Sequence, residues 1–405
     1  MYKRVFANMG FLLQIAGLLV VFPIAVSLCL NETQTLASFF LTCKSFFICG
    51  FLMNALCERK DLDFKSSCVL VLLVFLAMPL IGAIPYIYLD PFSSPSSVQR
   101  LTNAYFESIS GFTTTGFSFI SNIDDLPKSF LVYRSTTELM GGVGIVFILL
   151  AFFHSRDSLN SLGNALGMES IEDNPKRIFF SVFLIYGIYI AAFTLVFYSF
   201  GFKDVIETSS FVIDTITGGY QPSLERFQLY LSIPMRTCIL ILMFAGSVNF
   251  SFNYRLFTFE MKKALSKETL LYLLVIIVGT VSVFSLSGRN VFDSLFHVLS
   301  MSSSTGYDYI GIPMFNDTVK SVFILLMILG GCGFSMAGGI RMFRIISFLR
   351  SIKQSVEGIS SRENEIQQEN EQAGANNVDR LSALVTVLLF VATLFVLSLI
   401  HISEP

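Results

Sequence analysis

Long apolar runs separated by short polar stretches dominate the pattern of hydrophobic and polar positions along this chain. The longer runs have about 20 residues, the length a helix needs to cross roughly 30 Å of hydrocarbon. The pattern therefore predicts an all-α, multi-pass membrane protein. Apolar segments are predicted at 5–30, 36–57, 66–89, 127–153, 177–201, 230–257, 268–287, 317–349 and 380–400.

Three polar loops interrupt this pattern, and they share one arrangement. In each loop a semi-apolar stretch of about ten residues, too short to span a membrane, leads to small polar residues, a glycine and an aromatic residue. This predicts repeated units of helix, re-entrant pore loop and helix. The loops are NAYFESISGFTTTGFS (103–118), ETSSFVIDTITGGYQ (207–221) and FDSLFHVLSMSSSTGYD (292–308), aligned on Gly116, Gly219 and Gly306.

The repeats predict how the chain is divided. Two leading transmembrane helices occupy 1–60. The polar, Gln/Asn/Glu-rich segment 351–379 is interpreted as a cytoplasmic linker, with a docking surface for a cytoplasmic subunit as the alternative. An incomplete first helix of a fourth repeat is predicted at 380–405, of which 397–405 resembles the translated end of a sequencing adapter. The three complete pore repeats are predicted at 61–157, 170–262 and 264–350.

Composition and charge support a membrane protein with a defined orientation. Only 14% of the 405 residues are charged, against about 25% in soluble domains. Lys and Arg gather on the cytoplasmic side of membrane proteins. Eighteen of the 27 Lys and Arg lie on the side opposite the pore loops, and eight lie on the pore-loop side. The pore loops are therefore predicted to open outward, and the amino terminus is predicted to be cytoplasmic.

Re-entrant loops of this kind have a physical consequence. Irregular backbone at membrane depth is stable only where it is buried in protein or lines a water-filled path. Rings of backbone carbonyls can replace the hydration shell of a cation, and the C-terminal ends of short helices add partial negative charge. The three loops therefore predict a central cation pore.

The loop sequences SGFTTTGFS, ITGGYQ and MSSSTGYD, together with GGCGFSMAGGIRMFR (330–344), resemble the Trk/Ktr/HKT superfamily of potassium transporters. The two leading helices make the chain most similar to the bacterial TrkH branch. The resemblance implies four repeats around one potassium pore, with one filter glycine in each loop. Carried over by position, the implied potassium-binding filter residues are Thr113, Thr114, Thr115, Gly116, Ile216, Thr217, Gly218, Gly219, Ser303, Ser304, Thr305 and Gly306.

Glycines also interrupt the second helix of the third repeat. The sequence GGCGFSMAGG cannot hold a stable helix, so the helix is predicted to break near mid-membrane. The resemblance implies a gating loop beneath the filter, and bulky Phe334 and Met336 predict a more occluding gate. Close helix packing is the alternative role for such glycines. The implied gating residues are Gly330, Gly331, Cys332, Gly333, Phe334, Ser335, Met336, Ala337, Gly338 and Gly339.

Ionisable side chains at membrane depth are a second set of candidates. Asp214 lies five residues before Gly219, where its carboxylate either deepens a cation well or is hydrogen-bonded behind the filter. Asp308 is expected to attract cations at the outer mouth. Glu107 and His297 each lie nine residues before a filter glycine and are expected to make structural hydrogen bonds. Another acid, Glu138, is expected to be paired inside the helix bundle.

The predicted function is potassium uptake across the bacterial inner membrane. A structural or regulatory membrane subunit without transport activity is the alternative. No His, Asp, Glu or Cys cluster at depth predicts an enzyme or a cofactor, and potassium bound by the filter is the only metal expected. The resemblance implies a homodimer and a cytoplasmic nucleotide-binding regulatory subunit. Membrane lipid is the other expected partner, and no nucleic acid is expected.

Overall fold

The computed structural model describes residues 2–57, 64–152, 175–220, 232–260 and 264–360, and three single residues beyond them. Helices form almost all the regular structure of these ranges, which contain no strand. Five of the described helices are long and apolar enough to cross a membrane, or six if one bent pair counts as a span. The predicted all-α multi-pass fold is thus confirmed. The linker beyond residue 360 and almost all of the predicted fourth repeat lie outside the described residues.

Two leading helices, α1 (Tyr2–Cys29) and α2 (Thr33–Leu56), pack side by side. They approach most closely at two glycines, since a Cβ atom on Gly10 would lie 2.7 Å from the carbonyl oxygen of Gly50. Small residues permit this close packing of helices in lipid. The pair also packs against the first repeat, whose helices are α3 (Phe64–Gly82), α4 (Ile84–Leu89), α5 (Ser97–Phe112) and α6 (Lys128–Phe152).

The second and third repeats follow the same plan of helix, short pore helix and helix. The second repeat contains α7 (Pro175–Ser199), α8 (Val205–Thr217), α9 (Ile233–Ser247) and α10 (Phe250–Phe257). The third contains α11 (Lys267–Ser287), α12 (Val291–Ser302), a 3₁₀ turn (Ile312–Met314), α13 (Asp317–Leu329) and α14 (Met342–Ser360). The pore helices are therefore α5, α8 and α12.

Polar caps determine where the first two pore helices begin. Ser96 accepts a backbone N–H of α5 at 3.2 Å, and Asp204 accepts two from α8 at 3.0 and 3.1 Å. Asp204 also pairs with Lys128 at the start of α6. Burial alone would raise the pKa of Asp204, but hydrogen bonds from Lys128 and the helix N–H groups outweigh burial and hold this pKa below its ordinary value.

The second helix of each of the first two repeats packs against its own pore helix and the next one. Helix α6 contacts α5 and α8, and α9 contacts α8 and α12. Glycines allow these approaches, because a Cβ atom on Gly141 of α6 would overlap the Phe112 carbonyl, and one on Gly246 of α9 would overlap the Ile216 carbonyl. The three pore helices are thus interleaved with spanning helices.

The apolar segment predicted at 230–257 is not one straight helix. It breaks between α9 and α10, which differ in direction by 116°. Asn249 caps the new helix by accepting the Ser251 N–H at 2.9 Å. The carbonyls freed at the end of α9 accept backbone N–H groups of Cys332 and Met336, each at 2.9 Å. The break is therefore stabilised by the glycine-rich segment of the third repeat.

Candidate ion filter and gate

Three short stretches follow the pore helices, and they are called loop 1 (113–117), loop 2 (217–220) and loop 3 (303–307). Loops 1 and 3 have the same backbone conformation. In loop 1, Thr114 and Gly116 have φ of +51° and +75°, and in loop 3, Ser304 and Gly306 have φ of +66° and +71°. A left-handed φ at a threonine or serine is uncommon and persists only where the surroundings hold it. The same turn has thus formed at two places from different residues.

Hydroxyl groups brace loops 1 and 3 internally. The side-chain oxygens of Thr113 and Thr115 are 2.7 Å apart, and those of Ser303 and Thr305 are 2.9 Å apart. Each bridge spans the left-handed residue between its two members. Because the hydroxyls of each pair bond each other, they fix the turn of loop 1 and of loop 3.

Loop 2 is built differently. Its left-handed residue is Gly218, at φ +72°, and the aromatic Tyr220 follows two residues later. In loop 1 the aromatic residue follows Thr114 after three residues. When loop 2 is aligned with loop 1 on Gly219, its aromatic residue therefore matches that of loop 1, but its left-handed residue does not. Loop 2 is one residue shorter, and because Gly219 follows its turn residue Gly218, the Thr217 hydroxyl has no hydroxyl partner across the turn.

Two predicted filter residues, Ile216 and Thr217, lie in the last turn of α8, and loop 2 begins at the second of them. Ile216 lies in the last turn of α8 and is 1% exposed. Its carbonyl oxygen abuts Gly246 of α9, where a Cβ atom would overlap it. Ile216 thus lies in α8 with its carbonyl oxygen against α9, and its part in the filter stays a prediction.

The three loops meet through their backbones. A Cβ atom on Gly116 would overlap the Gly219 carbonyl and lie 2.9 Å from the Gly219 Cα. A Cβ atom on Gly218 would lie 3.2 Å from the Ser303 carbonyl oxygen. Loop 1 thus touches loop 2, and loop 2 touches loop 3. Glycine is required where backbones approach this closely.

The aromatic residues after the glycines join loop 2 and loop 3 to the pore helix of the preceding repeat. Tyr220 donates its hydroxyl hydrogen to the Glu107 carbonyl of α5 at 2.7 Å. The Tyr307 hydroxyl lies 3.1 Å from Thr215 Oγ1 of α8. Both rings are 1% exposed, whereas Phe117 of loop 1 is 67% exposed. Loops 2 and 3 are therefore each packed against a pore helix through their tyrosine, whereas the aromatic residue of loop 1 is exposed.

Glu107 and His297 tie the pore helices to the chain that follows the filter. Glu107, which is fully buried, accepts a hydrogen bond from the Ser118 hydroxyl at 2.8 Å and pairs with Arg134 at 2.7 Å. His297 Nε2 lies 3.3 Å from Asp308 Oδ1. Each of these contacts joins the residue that lies nine positions before the loop glycine to the residue that lies two positions after it. Both ties are structural hydrogen bonds, as their spacing suggested.

The two aspartates considered for cation attraction are engaged in the loop framework. Asp308 accepts backbone N–H groups of Gly311, at 2.8 Å, and of the next residue. The Asp214 side chain lies near Ser135 and Glu138 of α6, and its Oδ1 atom has no hydrogen-bond partner among the described residues. Both alternatives for Asp214, a deeper cation well and hydrogen bonding behind the filter, stay predictions.

The glycine-rich segment between α13 and α14 lies against the filter. The Gly338 N–H donates to Ser304 Oγ of loop 3 at 3.0 Å. The Met336 side chain packs on α6, since a Cβ atom on Gly142 would lie 3.0 Å from Met336 Cε and 3.6 Å from Thr114 Cγ2. The Met336 side chain therefore lies beside Gly142 of α6 and close to Thr114 of loop 1.

The other bulky residue of this segment is packed away from the filter. Phe334 is 3% exposed and meets Phe250 of α10 edge-on, with ring centroids 5.0 Å apart. The Gly333 N–H donates to the Glu268 carboxylate of α11, which also accepts from Asn249 Nδ2 at 3.4 Å. Phe334 thus packs against α10, and the expectation that Phe334 and Met336 make the gate more occluding stays a prediction.

The sequence did not point to Glu268 at this site, and it predicted Glu138 only as an acid paired inside the helix bundle, not as a partner of loop 2. Glu138 is fully buried and accepts from the Tyr220 N–H and from the Thr217 hydroxyl, the latter at 3.0 Å. In the sequence, each of the two glutamates is a single acidic residue inside an apolar segment or at its edge. Among the residues described, no three His, Cys, Asp or Glu side chains form a metal cluster.

This chain is similar in sequence to known cation transport proteins. A family model described as a cation transport protein, TrkH, matches residues 147–404. An uncharacterized cation transporter of Methanocaldococcus jannaschii is 28% identical over 358 residues, covering 87% of this chain and 72% of that protein. The Trk system potassium uptake protein TrkH of Escherichia coli K12 is 24% identical over 314 residues, covering 71% of this chain and 62% of its own length. The chain thus spans less than two thirds of that relative.

A solved structure has the same fold. The crystal structure of the potassium transporter TrkH from Vibrio parahaemolyticus superposes with a TM-score of 0.80 at 19% identity. The superposition covers 100% of this chain and 86% of that one. The all-helical arrangement of pore repeats is therefore shared with a known membrane transporter.

Proposed function

This chain belongs to the TrkH family of cation transport proteins, and on that premise we propose that it carries potassium ions through a filter formed by loops 1 to 3. Membership confirms a transporter rather than an enzyme. The observation that carries the proposal is the meeting of the three loops at Gly116, Gly218 and Gly219, where backbone lies against backbone. Carbonyl-lined passages of this kind replace the water shell of potassium. The relatives named as potassium uptake proteins support the choice of ion.

The remaining parts of the transporter follow from this proposal. The exposed face of loop 1 at Phe117 is the place for the fourth pore loop that the family resemblance implies. The protein would lie in the bacterial inner membrane with its amino terminus in the cytoplasm, as the distribution of Lys and Arg favours. It would form a homodimer and bind a cytoplasmic nucleotide-binding subunit.

Growth of a bacterium that lacks its own potassium uptake systems tests the function. We expect the complete gene to restore growth at low potassium and to increase uptake of the potassium tracer rubidium, but not of sodium. A well-expressed product in the membrane that restores neither would contradict the proposal and favour a subunit without transport activity.

Shortening Met336 should increase flux. Met336→Ala removes the side chain that packs between Gly142 and loop 1, so we expect a several-fold faster initial rate of rubidium uptake. Phe334→Leu is the matched control, because Phe334 packs on Phe250 and not beside the filter. Uptake that rises equally in both variants would show that the segment is loosened as a whole and that Met336 does not itself restrict flux.

A further inference from the structure

Loop 2 has no internal brace of the kind found in its two neighbours. Loops 1 and 3 hold their turns with a hydroxyl bridge, between Thr113 and Thr115 and between Ser303 and Thr305. In loop 2 the turn residue Gly218 is followed by a second glycine, so no side chain can complete such a bridge. A backbone with two consecutive glycines is the most flexible of the three. Something outside the loop must hold it.

Glu138 of α6 supplies the missing contacts. One carboxylate oxygen accepts the Thr217 hydroxyl at 3.0 Å, and the other accepts the Tyr220 N–H. These donors are the first and last residues of loop 2, so one carboxylate spans the whole loop. Glu138 is fully buried, which removes competition from water for both hydrogen bonds.

The carboxylate also explains the second glycine of the loop. Gly219 does not have a left-handed φ, so its backbone conformation would admit other residues. A Cβ atom at this position would overlap the Glu138 carboxyl group. Glycine at position 219 therefore makes room for the acid on one side and for loop 1 on the other.

The acid is specific to loop 2. Gly141 of α6 and Gly246 of α9 occupy matching positions, since each lies against the end of its own pore helix. Three residues before each glycine are Glu138 in α6 and Met243 in α9. Met243 is 1% exposed and apolar, and helix α9 faces α12, whose loop has its own hydroxyl bridge. The carboxylate thus occurs beside the loop that lacks a bridge.

We propose that Glu138 is a positioning residue of the ion filter: its carboxylate replaces the hydroxyl bridge of loop 2 and so sets the preference of the pore for potassium over sodium. This inference rests on the proposed function. Glu138 acts through hydrogen bonds to Thr217 and Tyr220 and does not touch the ion. Its loss would let loop 2 relax around smaller or hydrated cations.

Three variants of the complete protein test the proposal in proteoliposomes. Glu138→Gln keeps one acceptor for the Tyr220 N–H and a polar partner for the Thr217 hydroxyl, so we expect selectivity near that of the wild type. Glu138→Leu has similar size and no acceptor, and we expect its potassium-to-sodium permeability ratio to fall about tenfold. Thr136→Val is the control on the same helix, because the Thr136 hydroxyl donates to the Val132 carbonyl of α6 and, among the described residues, to no residue of loop 2.

A second readout separates this inference from the proposed function. Hydrogen exchange of the peptide 214–220 should speed up in Glu138→Leu and not in Glu138→Gln, whichever ion the protein carries. If the wild type carries no potassium, the proposed function fails, and exchange still decides whether Glu138 holds loop 2. Unchanged selectivity and exchange in Glu138→Leu would overturn the inference. An equal loss of potassium selectivity in the glutamine and leucine variants would also overturn the inference. The charge of Glu138, and not its hydrogen bonds, would then be responsible for selectivity.

Discussion

Replacing Gly116 with alanine should abolish growth at low potassium and reduce rubidium uptake by at least about tenfold. Gly116 has a φ of +75°, which an alanine adopts only with strain. A Cβ atom there would also overlap the backbone of Gly219 in loop 2. Since the obstructing atoms are backbone, no rotation of a side chain relieves the overlap. The two loops must separate, and the carbonyls between them lose their positions.

Alanine substitutions at two other glycines distinguish backbone strain from crowding as the cause of this effect. Gly288 has a φ of +65° with no atom near its Cβ position, so Gly288→Ala introduces strain without crowding. Gly187 lies in α7 with open space around it, so Gly187→Ala introduces neither. We expect both variants to support growth like the wild type at equal amounts in the membrane. Normal growth of the Gly116→Ala variant would refute the role of the contact between loops 1 and 2.

The positions of loops 1 to 3 and of the glycine-rich segment 330–339 could be predicted because the sequence features that form them are local. A short semi-apolar helix followed by Thr or Ser and a glycine is visible three times in the sequence. The glycine-rich segment 330–339 cannot be helical, and the structure ends α13 at Leu329. Composition within a few residues decides such features, without help from distant parts of the chain.

The form of loop 2 could not be predicted in the same way. Gly218 and Gly219 both tolerate a left-handed φ, so the sequence does not show which of them ends the helix. The structure assigns this role to Gly218 and shortens the loop by one residue. Ile216 consequently falls inside α8, and only the contact with Gly246 reveals this.

The break between α9 and α10 depends on residues far away in sequence. The stretch around Asn249 contains one preceding glycine in an apolar run, a weak signal for a broken helix. Its stability comes from backbone hydrogen bonds donated by Cys332 and Met336, more than 80 residues later. Tertiary contacts of this kind override local helix propensity. The broken helix and the gating segment therefore form one hydrogen-bonded unit.

Removing one member of the buried ion pair between Arg134 and Glu107 should have the largest effect on stability. Their side chains are 3% and 0% exposed, and Arg134 also lies over the Tyr220 ring, 3.8 Å from its centroid. Arg134→Met leaves the Glu107 carboxylate buried without its counter-charge, which costs about 3–5 kcal/mol in such pairs. We expect a much lower melting temperature of the purified protein in detergent, together with slower potassium uptake.

The double variant Arg134→Met with Glu107→Gln shows whether uncompensated charge is the cause. Glutamine keeps an acceptor for the Ser118 hydroxyl while removing the buried charge, so the double variant should be more stable than Arg134→Met alone. Lys320→Met is the control for an exposed pair, because its partner Asp317 is 97% exposed and little or no stability should be lost. If Arg134→Met were as stable as the control, the pair would contribute nothing to holding α6 against α5. A double variant no more stable than Arg134→Met would instead assign the loss to contacts that both variants lack, such as the cation–π contact of Arg134 with Tyr220.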